Sequence, residues 1–366
     1  MFGNIYKNKK VLVTGHTGFK GTWLTTWLLK LGAEVVGISK DIPTTPSMFE
    51  ELKLEEKIKH YKEDIRDLSK MVEIISLEKP EFLFHLAAQP IVSTSYSDPI
   101  ETISSNVMGT TNILEALKTS NHKCTAIIIT SDKAYDNVEQ VWGYKENDKM
   151  GGKDIYSGSK GAAELIIKSY YYSFFTKDDS NIKLAVGRAG NVIGGGDWAK
   201  DRIVVDCMEA WSQNKSVEIR SPKATRPWQH VLEPLSGYLN LGQVLYEDNS
   251  LHGEAFNFGP RAEQNHTVEQ LLEDLSEYWH FDNVNDAFTI TDNIPFHEAG
   301  LLKLNCDKAL FYLKWQANLE YQDTIRFTSE WYYDFYKNDN DTLEKTLEQI
   351  GEYENMAKTR GLKWTE

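Results

Sequence analysis

Lys10-Val-Leu-Val-Thr-Gly-His-Thr-Gly-Phe-Lys-Gly21 combines an apolar run with glycines at three-residue spacing, Gly15, Gly18 and Gly21. The run predicts a buried strand, and the apolar period of Thr22–Leu29 predicts a helix. In such a turn, glycines allow positive φ and close approach of the backbone, and the helix N-terminus attracts a pyrophosphate. The segment therefore predicts a dinucleotide site, although its spacing also suits a tight turn that binds nothing.

The first half of the chain alternates apolar strand patterns with helical ones. The predicted strands are Val11–Thr14, Glu34–Ile38, Ile58–Tyr61, Phe82–Leu86, Ala126–Thr130 and Leu184–Arg188. Val/Ile/Leu runs separated by helices are typical of a parallel sheet that is buried on both faces. We therefore expect an α/β fold with a Rossmann-type doubly wound parallel sheet and a smaller C-terminal substrate-binding lobe.

The pattern changes after about residue 190, where Gly, Trp and Arg cluster. We expect residues 1–187 to form the dinucleotide-binding domain and residues 188–366 to form the substrate lobe. Ala255–Gly259 resembles one more strand, so a segment of about 231–260 is expected to rejoin the first sheet.

The composition narrows the possible partners. The 366 residues carry a net charge of −14, which argues against nucleic acid or an anionic membrane surface as a partner. Cys124, Cys207 and Cys306 are widely spaced, so we expect free thiols in a reducing compartment, with no disulfide set and no metal site. The chain begins without a signal region, and its apolar runs are shorter than the ~20 residues that span a bilayer, so we expect a cytoplasmic protein.

Tyr156-Ser-Gly-Ser-Lys160 places a phenol and an amine on one face of a predicted helix. Because an ammonium group lowers the pKa of a neighbouring phenol, Tyr156 is predicted to act as a base toward a sugar or alcohol hydroxyl while hydride leaves the same carbon. The spacing is common by chance, and an ordinary surface pair is the alternative. The glycine-rich segment upstream favours the catalytic interpretation.

Thr130-Ser131-Asp132-Lys133 follows the fifth predicted strand. Ligands of open α/β sheets bind at this carboxyl edge, where a hydroxyl, a carboxylate and an amine suit proton transfer. The alternative is a polar turn with a solvated lysine.

Together these segments resemble the extended short-chain dehydrogenases/reductases, within their nucleotide-sugar dehydratase and epimerase group. The resemblance covers roughly residues 8–320, and its narrower motifs point to the dehydratases that act on CDP-hexoses. The segments that carry it are Gly15–Gly21, Leu86–Pro90, Asn106–Thr110, Thr130–Lys133, Trp142–Asn147, Tyr156–Glu164, Arg188–Trp198 and Arg226–Val231.

The resemblance implies NAD-dependent dehydration of an NDP-hexose to its 4-keto-6-deoxy derivative. It implies that Tyr156 removes the 4-hydroxyl proton as hydride leaves C4, and that Lys160 tunes Tyr156 and holds the nicotinamide ribose. Ser131 would bind the C4 oxygen, and Asp132 would protonate the departing C6 hydroxyl. Lys133 stands where related dTDP-glucose dehydratases have Glu, and it would be either the C5 base or an electrostatic stabiliser of the enolate.

The resemblance also assigns residues to NAD. The pyrophosphate turn would comprise Gly15, Thr17, Gly18, Phe19 and Gly21, and the adenosine would contact Asp64, Ile65, Leu86, Ala87 and Ala88. Where a carboxylate would hold the 2′-hydroxyl, at the end of strand two, the sequence has Ser39 and Lys40. NAD is the expected cofactor, and tolerance of NADP stays open.

For the substrate diphosphate the resemblance points to Asn191, Arg202 and Arg226. Arginine binds phosphate oxygens bidentately, although arginines paired with surface carboxylates are the alternative. The resemblance also implies a homodimer built from Thr102–Thr119 and Ile155–Phe174 of each subunit. Alternatively, those helices simply cover one face of the sheet.

Other functions compete with dehydration of a CDP-hexose. A nucleotide-sugar 4-epimerase or reductase needs Tyr156, Lys160 and Ser131 but no acid–base pair beside them, so Asp132-Lys133 argues against it. A non-catalytic regulator would usually lack the Tyr or the Lys. The choice of CDP over another nucleotide, and a place in lipopolysaccharide O-antigen deoxysugar synthesis, rest on the resemblance alone.

Overall fold

The computed structural model describes residues 1–219, 221–281, 283–291, 301–338 and 340–366. Its strands are β1 Lys10–Thr14, β2 Glu34–Ser39, β3 Lys59–Lys62, β4 Phe82–His85, β5 Cys124–Ile129, β6 Ile182–Ala189, β7 Val192–Ile193, β8 Val217–Ile219, β9 Thr225–Arg226, β10 Gln229–His230, β11 Ala255–Phe258, β12 His266–Thr267 and β13 Phe288–Ile290. Its α-helices are α1 Phe19–Lys30, α2 Met48–Glu51, α3 Leu68–Glu78, α4 Val92–Ser97, α5 Pro99–Ile103, α6 Thr110–Ser120, α7 Ile155–Tyr170, α8 Ile203–Ser212, α9 Leu232–Glu247, α10 Val268–Glu277, α11 Val284–Ala287, α12 Tyr321–Tyr333 and α13 Thr342–Thr359.

A seven-stranded parallel sheet in the order β11-β6-β5-β4-β1-β2-β3 positions the candidate site. The chain runs outward from β1 to β3 and then returns to place β4 on the other side of β1. The crevice at the carboxyl ends of β1 and β4 is therefore the switch point where ligands of such sheets bind. The expected Rossmann-type fold is confirmed, and Ala255–Phe258 rejoins the sheet beside β6 as predicted.

Helices cover both faces of this sheet because successive strand residues point to opposite sides. Leu12 packs in the core on the α3 and α6 side, whereas Val11 and Val13 pack on the α1 and α9 side. The core on the α1 and α9 side continues into the Trp-rich C-terminal half of the chain, where it includes Trp211 and Trp331. The boundary between residues 187 and 188 stays a prediction.

The helix predicted over Thr102–Thr119 is interrupted. A π-helical turn, Ser104–Gly109, joins α5 to α6, and a second one, Tyr171–Phe175, extends α7. In the first turn, Asn106 Nδ2 donates to Ser159 Oγ at 2.9 Å and Asn106 Oδ1 accepts the N–H of Gln89 at 2.8 Å. Apolar periodicity does not reveal such polar contacts between elements.

Each helix of the described residues is too short or too polar to cross a bilayer.

Candidate active site

The glycine-rich turn forms a close-packed cradle against the end of β4. Gly15 has φ +73°, and a Cβ there would lie 2.7 Å from the Ala87 nitrogen. A Cβ on Gly21 would lie 2.1 Å from the Gly15 carbonyl oxygen, so α1 packs against the turn only because this residue is glycine. Gly18 is the N-cap residue of α1 and has no side chain to cap the helix, which leaves the N–H groups of the first turn available to a ligand. These features fit the pyrophosphate of a dinucleotide.

At the end of β2 the expected carboxylate is replaced by a neutral network. Ser39 Oγ lies 3.2 Å from His16 Nδ1, and His16 Nε2 lies 2.8 Å from His60 Nδ1. Burial lowers the pKa of His16 to about 3, so the ring is neutral. Gly37 provides the space, since a Cβ there would lie 2.5 Å from the His16 ring.

The other predicted cofactor residues lie along the same edge of the sheet. Asp64 is paired with Arg66 at 2.5 Å, and Ile65 packs beneath Gly109. Thr17 Oγ1 donates to the Asp41 carbonyl at 2.8 Å. Phe19, Leu86 and Ala88 are half-buried.

The segment after β5 is a polar turn. Ser131 Oγ donates to Asp132 Oδ1 at 3.0 Å and accepts the N–H of Lys133 at 3.2 Å, which caps a 3₁₀ turn over Asp132–Ala134. Asp132 is buried, and burial raises the pKa of its carboxyl above the ordinary value, against the lowering effect of Lys133. A buried carboxyl with a raised pKa is suited to donating a proton.

Tyr156 and Lys160 are both buried on the inner face of α7, not at the surface. The expectation of a lowered phenol pKa is wrong for this arrangement, because burial raises the pKa of Tyr156 to about 12, although a hydrogen bond with Ser131 opposes the rise. Lys160 Nζ lies 5.9 Å from the centre of the Tyr156 ring. Burial also lowers the pKa of Lys160 to about 8. The structure therefore brings Tyr156, Lys160 and the Ser131 turn together.

Lys20 is a charged residue of this site that sequence reasoning missed. It lies in the first turn of α1, three residues before Trp23, whose Nε1 donates to the Gly195 carbonyl at 2.9 Å. Residues three apart share a helix face, so Lys20 is directed toward the same segment. Burial lowers its pKa to about 8, and it interacts electrostatically with Arg202 and Asp132. The sequence did offer one signal for Lys20, since a lysine inside a glycine motif lies where the helix packs closely on the ligand-binding turn.

The candidate substrate residues divide into two places. A Cβ on Gly190 would lie 2.9 Å from Asp132 Oδ2, so the neighbouring Asn191 lies beside the polar turn. Arg202 forms an ion pair with Asp197 at 3.1 Å. Arg226 lies on β9, which pairs with β12 in the second half of the chain.

Trp198 and Trp228 lie close in sequence to Arg202 and Arg226, and both are buried. Trp198 packs against Trp331 and donates to Tyr336 Oη at 2.9 Å. Trp228 is a member of the same core cluster. Both therefore serve the core in this structure.

A buried ion pair fixes the elements that carry the polar turn and the tyrosine. Arg188 Nε donates to Glu164 Oε1 at 2.7 Å, and Arg188 Nη1 donates to Tyr135 Oη at 2.6 Å. Thr130 Oγ1 also donates to Glu164 Oε1, at 2.5 Å. The pair therefore joins β6, α7 and the end of β5.

Glu164→Ala is expected to lower the free energy of unfolding by about 3–5 kcal/mol, because the variant leaves the Arg188 guanidinium buried without its carboxylate. Urea denaturation followed by circular dichroism measures the change. Glu73→Ala is the matched control, since Glu73 pairs with Lys70 on the exposed face of α3, and its effect should be far smaller. A Glu164→Ala protein as stable as this control would contradict the assigned role.

Comparison with known proteins places these features in context. The family model described as GDP-mannose 4,6 dehydratase matches residues 12–328. A CDP-glucose 4,6-dehydratase of Salmonella typhimurium is 47% identical over 334 residues, which cover 90% of this chain and 92% of the relative.

Solved structures share the fold at low sequence identity. A UDP-glucose 4-epimerase from Thermotoga maritima has a TM-score of 0.77 at 22% identity, with 90% of this chain and 100% of that chain covered. A dTDP-glucose 4,6-dehydratase from Streptomyces venezuelae, solved with NAD bound, has a TM-score of 0.76 at 18% identity, with 91% and 99% covered. At these identities the likeness concerns the fold.

Proposed function

The chain belongs to the GDP-mannose 4,6-dehydratase family of extended short-chain dehydrogenases/reductases, and from this premise we propose that it is a lyase that converts CDP-glucose to CDP-4-keto-6-deoxyglucose. The observation that carries the proposal is the acid–base turn Ser131-Asp132-Lys133 beside the buried Tyr156 and Lys160. The 47% identical relative supports CDP-glucose as the substrate.

Each residue of the site has a distinct role in this proposal. Tyr156 takes the proton of the 4-hydroxyl, and Ser131 binds the same oxygen. Once C4 is a ketone the C5 proton is acidic, and Asp132 protonates the C6 hydroxyl, which leaves as water. Lys133, beside Asp132, acts at C5, either as the base or by stabilising the enolate charge.

NAD is the proposed cofactor, and the cradle formed by Gly15, Gly18 and Gly21 would hold its pyrophosphate. When bound, NAD would supply the hydride acceptor for C4 and the hydride donor for C6, a proton returning to C5, and its positively charged nicotinamide would favour a phenolate. Lys160 would hold the nicotinamide ribose. Leu86, Ala87 and Asp64 would flank the adenosine.

The test uses NAD with CDP-, dTDP-, GDP- and UDP-glucose, each deuterated at C4. Mass spectrometry should find loss of water, with the deuterium moved to C6, from CDP-glucose. Water loss from another nucleotide sugar alone would overturn the proposed substrate. Epimerisation at C4 without water loss would instead favour the epimerase function, in which Asp132 and Lys133 have no chemical role.

A homodimer is part of the proposal. Large apolar side chains lie exposed on α5 and α7, including Ile100 at 73% and Leu165 at 58% exposure, and α5 packs beside α7. A second copy of the same surface would cover them by two-fold pairing of helices.

Ile100→Glu combined with Leu165→Glu is expected to convert the dimer to a monomer, because a charge would be buried at its centre. Light scattering coupled to size-exclusion chromatography measures the mass. Leu77→Glu is the control, since Leu77 is comparably exposed on α3 and should leave the dimer intact. A wild-type chain that stays monomeric at every concentration would rule the dimer out.

We place the reaction in the cytoplasm, where nucleotide sugars and NAD are available. The free thiols of Cys124, Cys207 and Cys306 suit a reducing compartment. The product would supply deoxysugar synthesis for a surface polysaccharide such as the lipopolysaccharide O-antigen.

A further inference from the structure

A network of charges lies at the carboxyl end of β2, next to Ser39. Lys40 Nζ lies 2.9 Å from Glu101 Oε1, and Arg66 Nη1 contacts the other oxygen of the same carboxylate. Arg66 Nη2 also binds Asp64 Oδ2 at 2.5 Å. A carboxylate from α5 thus joins two cations, Lys40 directly after β2 and Arg66 in the segment after β3.

The position matters because the end of the second strand meets the adenosine ribose in dinucleotide folds. A carboxylate there binds the 2′-hydroxyl of NAD, whereas nearby cations accommodate the 2′-phosphate of NADP. Ser39 is neutral, and its Oγ lies 3.5 Å from the Thr17 nitrogen of the glycine-rich turn. With Lys40 and Arg66 alone, this edge would favour a 2′-phosphate.

We infer that Glu101 is the residue that restricts the dinucleotide site to NAD. Its carboxylate engages both cations and places a negative charge where the 2′-phosphate of NADP would have to bind. The inference rests on the proposed dinucleotide site and adds a selectivity residue from an element outside β1–β2. The carboxylate that selects NAD thus comes from α5, whereas in other dinucleotide folds it lies at the end of the second strand.

The surroundings of Glu101 hold it ionised and in place. Its backbone N–H donates to Asp98 Oδ1 at 2.9 Å, and Ser105 Oγ donates to its Oε1 at 3.2 Å. The hydrogen bond from Lys40 is the main cause that lowers the pKa of this carboxyl, and the charge of Arg66 acts in the same direction. By contrast, Lys40 is about half exposed, so its ammonium is free to turn toward a ligand once the carboxylate is removed.

Glu101→Gln keeps the shape of the side chain but removes its charge. Isothermal titration of the cofactor-free protein with NAD and with NADP gives both dissociation constants without any nucleotide sugar. In the wild type we expect NAD to bind more tightly. In the variant, affinity for NADP should rise by about tenfold or more, with little change for NAD, because Lys40 Nζ and Arg66 Nη1 become available for charge-assisted hydrogen bonds while Arg66 Nε and Nη2 stay on Asp64.

Two further variants make the test specific. Glu101→Gln combined with Lys40→Met should lose most of the gain in NADP affinity. Glu73→Gln removes a carboxylate from the ion pair with Lys70 and should leave both dissociation constants unchanged. Thermal unfolding without cofactor checks that each variant is folded, and Glu101→Ala provides a second replacement.

The outcomes separate the two levels of the proposal. A wild-type protein that binds NADP as tightly as NAD, or a folded Glu101→Gln variant with an unchanged NADP/NAD ratio, would overturn the role of Glu101 while leaving the dehydratase proposal in place. A wild-type protein that binds neither dinucleotide would overturn both.

Discussion

Tyr156→Phe is expected to lower kcat by about 10³-fold, within the range that general acid–base groups contribute. The variant removes the phenolic oxygen assigned to accept the 4-hydroxyl proton, so this proton no longer has its assigned base when hydride leaves C4. The dissociation constants for NAD and CDP-glucose should change little, since the ring and its packing remain. Steady-state kinetics and isothermal titration measure the two effects separately.

Tyr312→Phe is the matched control, because Tyr312 is exposed on a π-helical turn, Ala309–Leu313, and carries no assigned chemistry. Its kcat should equal that of the wild type. If Tyr156→Phe kept more than a tenth of the wild-type kcat with normal binding, the base would have to be a different group.

Asp132→Asn is expected to separate oxidation from elimination. An amide cannot protonate the departing C6 hydroxyl, so water loss should slow by about 10²-fold or more while oxidation at C4 continues. On mixing with CDP-glucose and NAD, the absorbance of reduced nicotinamide should appear and persist, and mass spectrometry should find a nucleotide sugar that has kept its oxygen at C6. The raised pKa of the buried carboxyl is the physical basis of this expectation.

Asp136→Asn serves as the control, since Asp136 lies in the segment after the same turn and pairs with Lys149 at 2.8 Å. Wild-type rates of water loss in Asp132→Asn would assign the acid to another residue.

Lys133→Arg distinguishes the two proposed roles of Lys133. Arginine keeps the positive charge but does not act as a base, so retained C5 exchange with solvent would identify electrostatic stabilisation.

Much of the fold could be predicted because it depends on local patterns. The apolar run before Gly15 and the helical period after Gly21 fixed β1 and α1, and Ala255–Phe258 could be recognised as a strand from its composition. The π-helical turn at Ser104–Gly109 was not predictable, because side-chain contacts of Asn106 with another loop and another helix accompany it, and no periodic pattern encodes them.

The candidate site shows the same division. The spacing of Tyr156 and Lys160 indicated that both share one helix face, and their burial beside Ser131 agrees with that. The direction in which the pKa of Tyr156 shifts could not be predicted, because it depends on how deeply the phenol is buried, which the sequence alone does not show. Glu101 and Lys20 were missed for a related reason, since their importance arises from residues on other elements of the fold.

The pairing of β11 with β6 has a consequence for how the chain is made. During synthesis, β6 is complete about seventy residues before β11 emerges, so its outer backbone edge stays open until residue 258 is available. A fragment ending at residue 190, just after β6, would carry that unpaired edge permanently, together with the apolar surface that α9 covers. We expect such a fragment to aggregate, and a co-expressed second fragment that contains residues 191–366 to rescue it. The sheet is thus completed late, so we expect productive folding of its β6 side to require translation of the chain through residue 258.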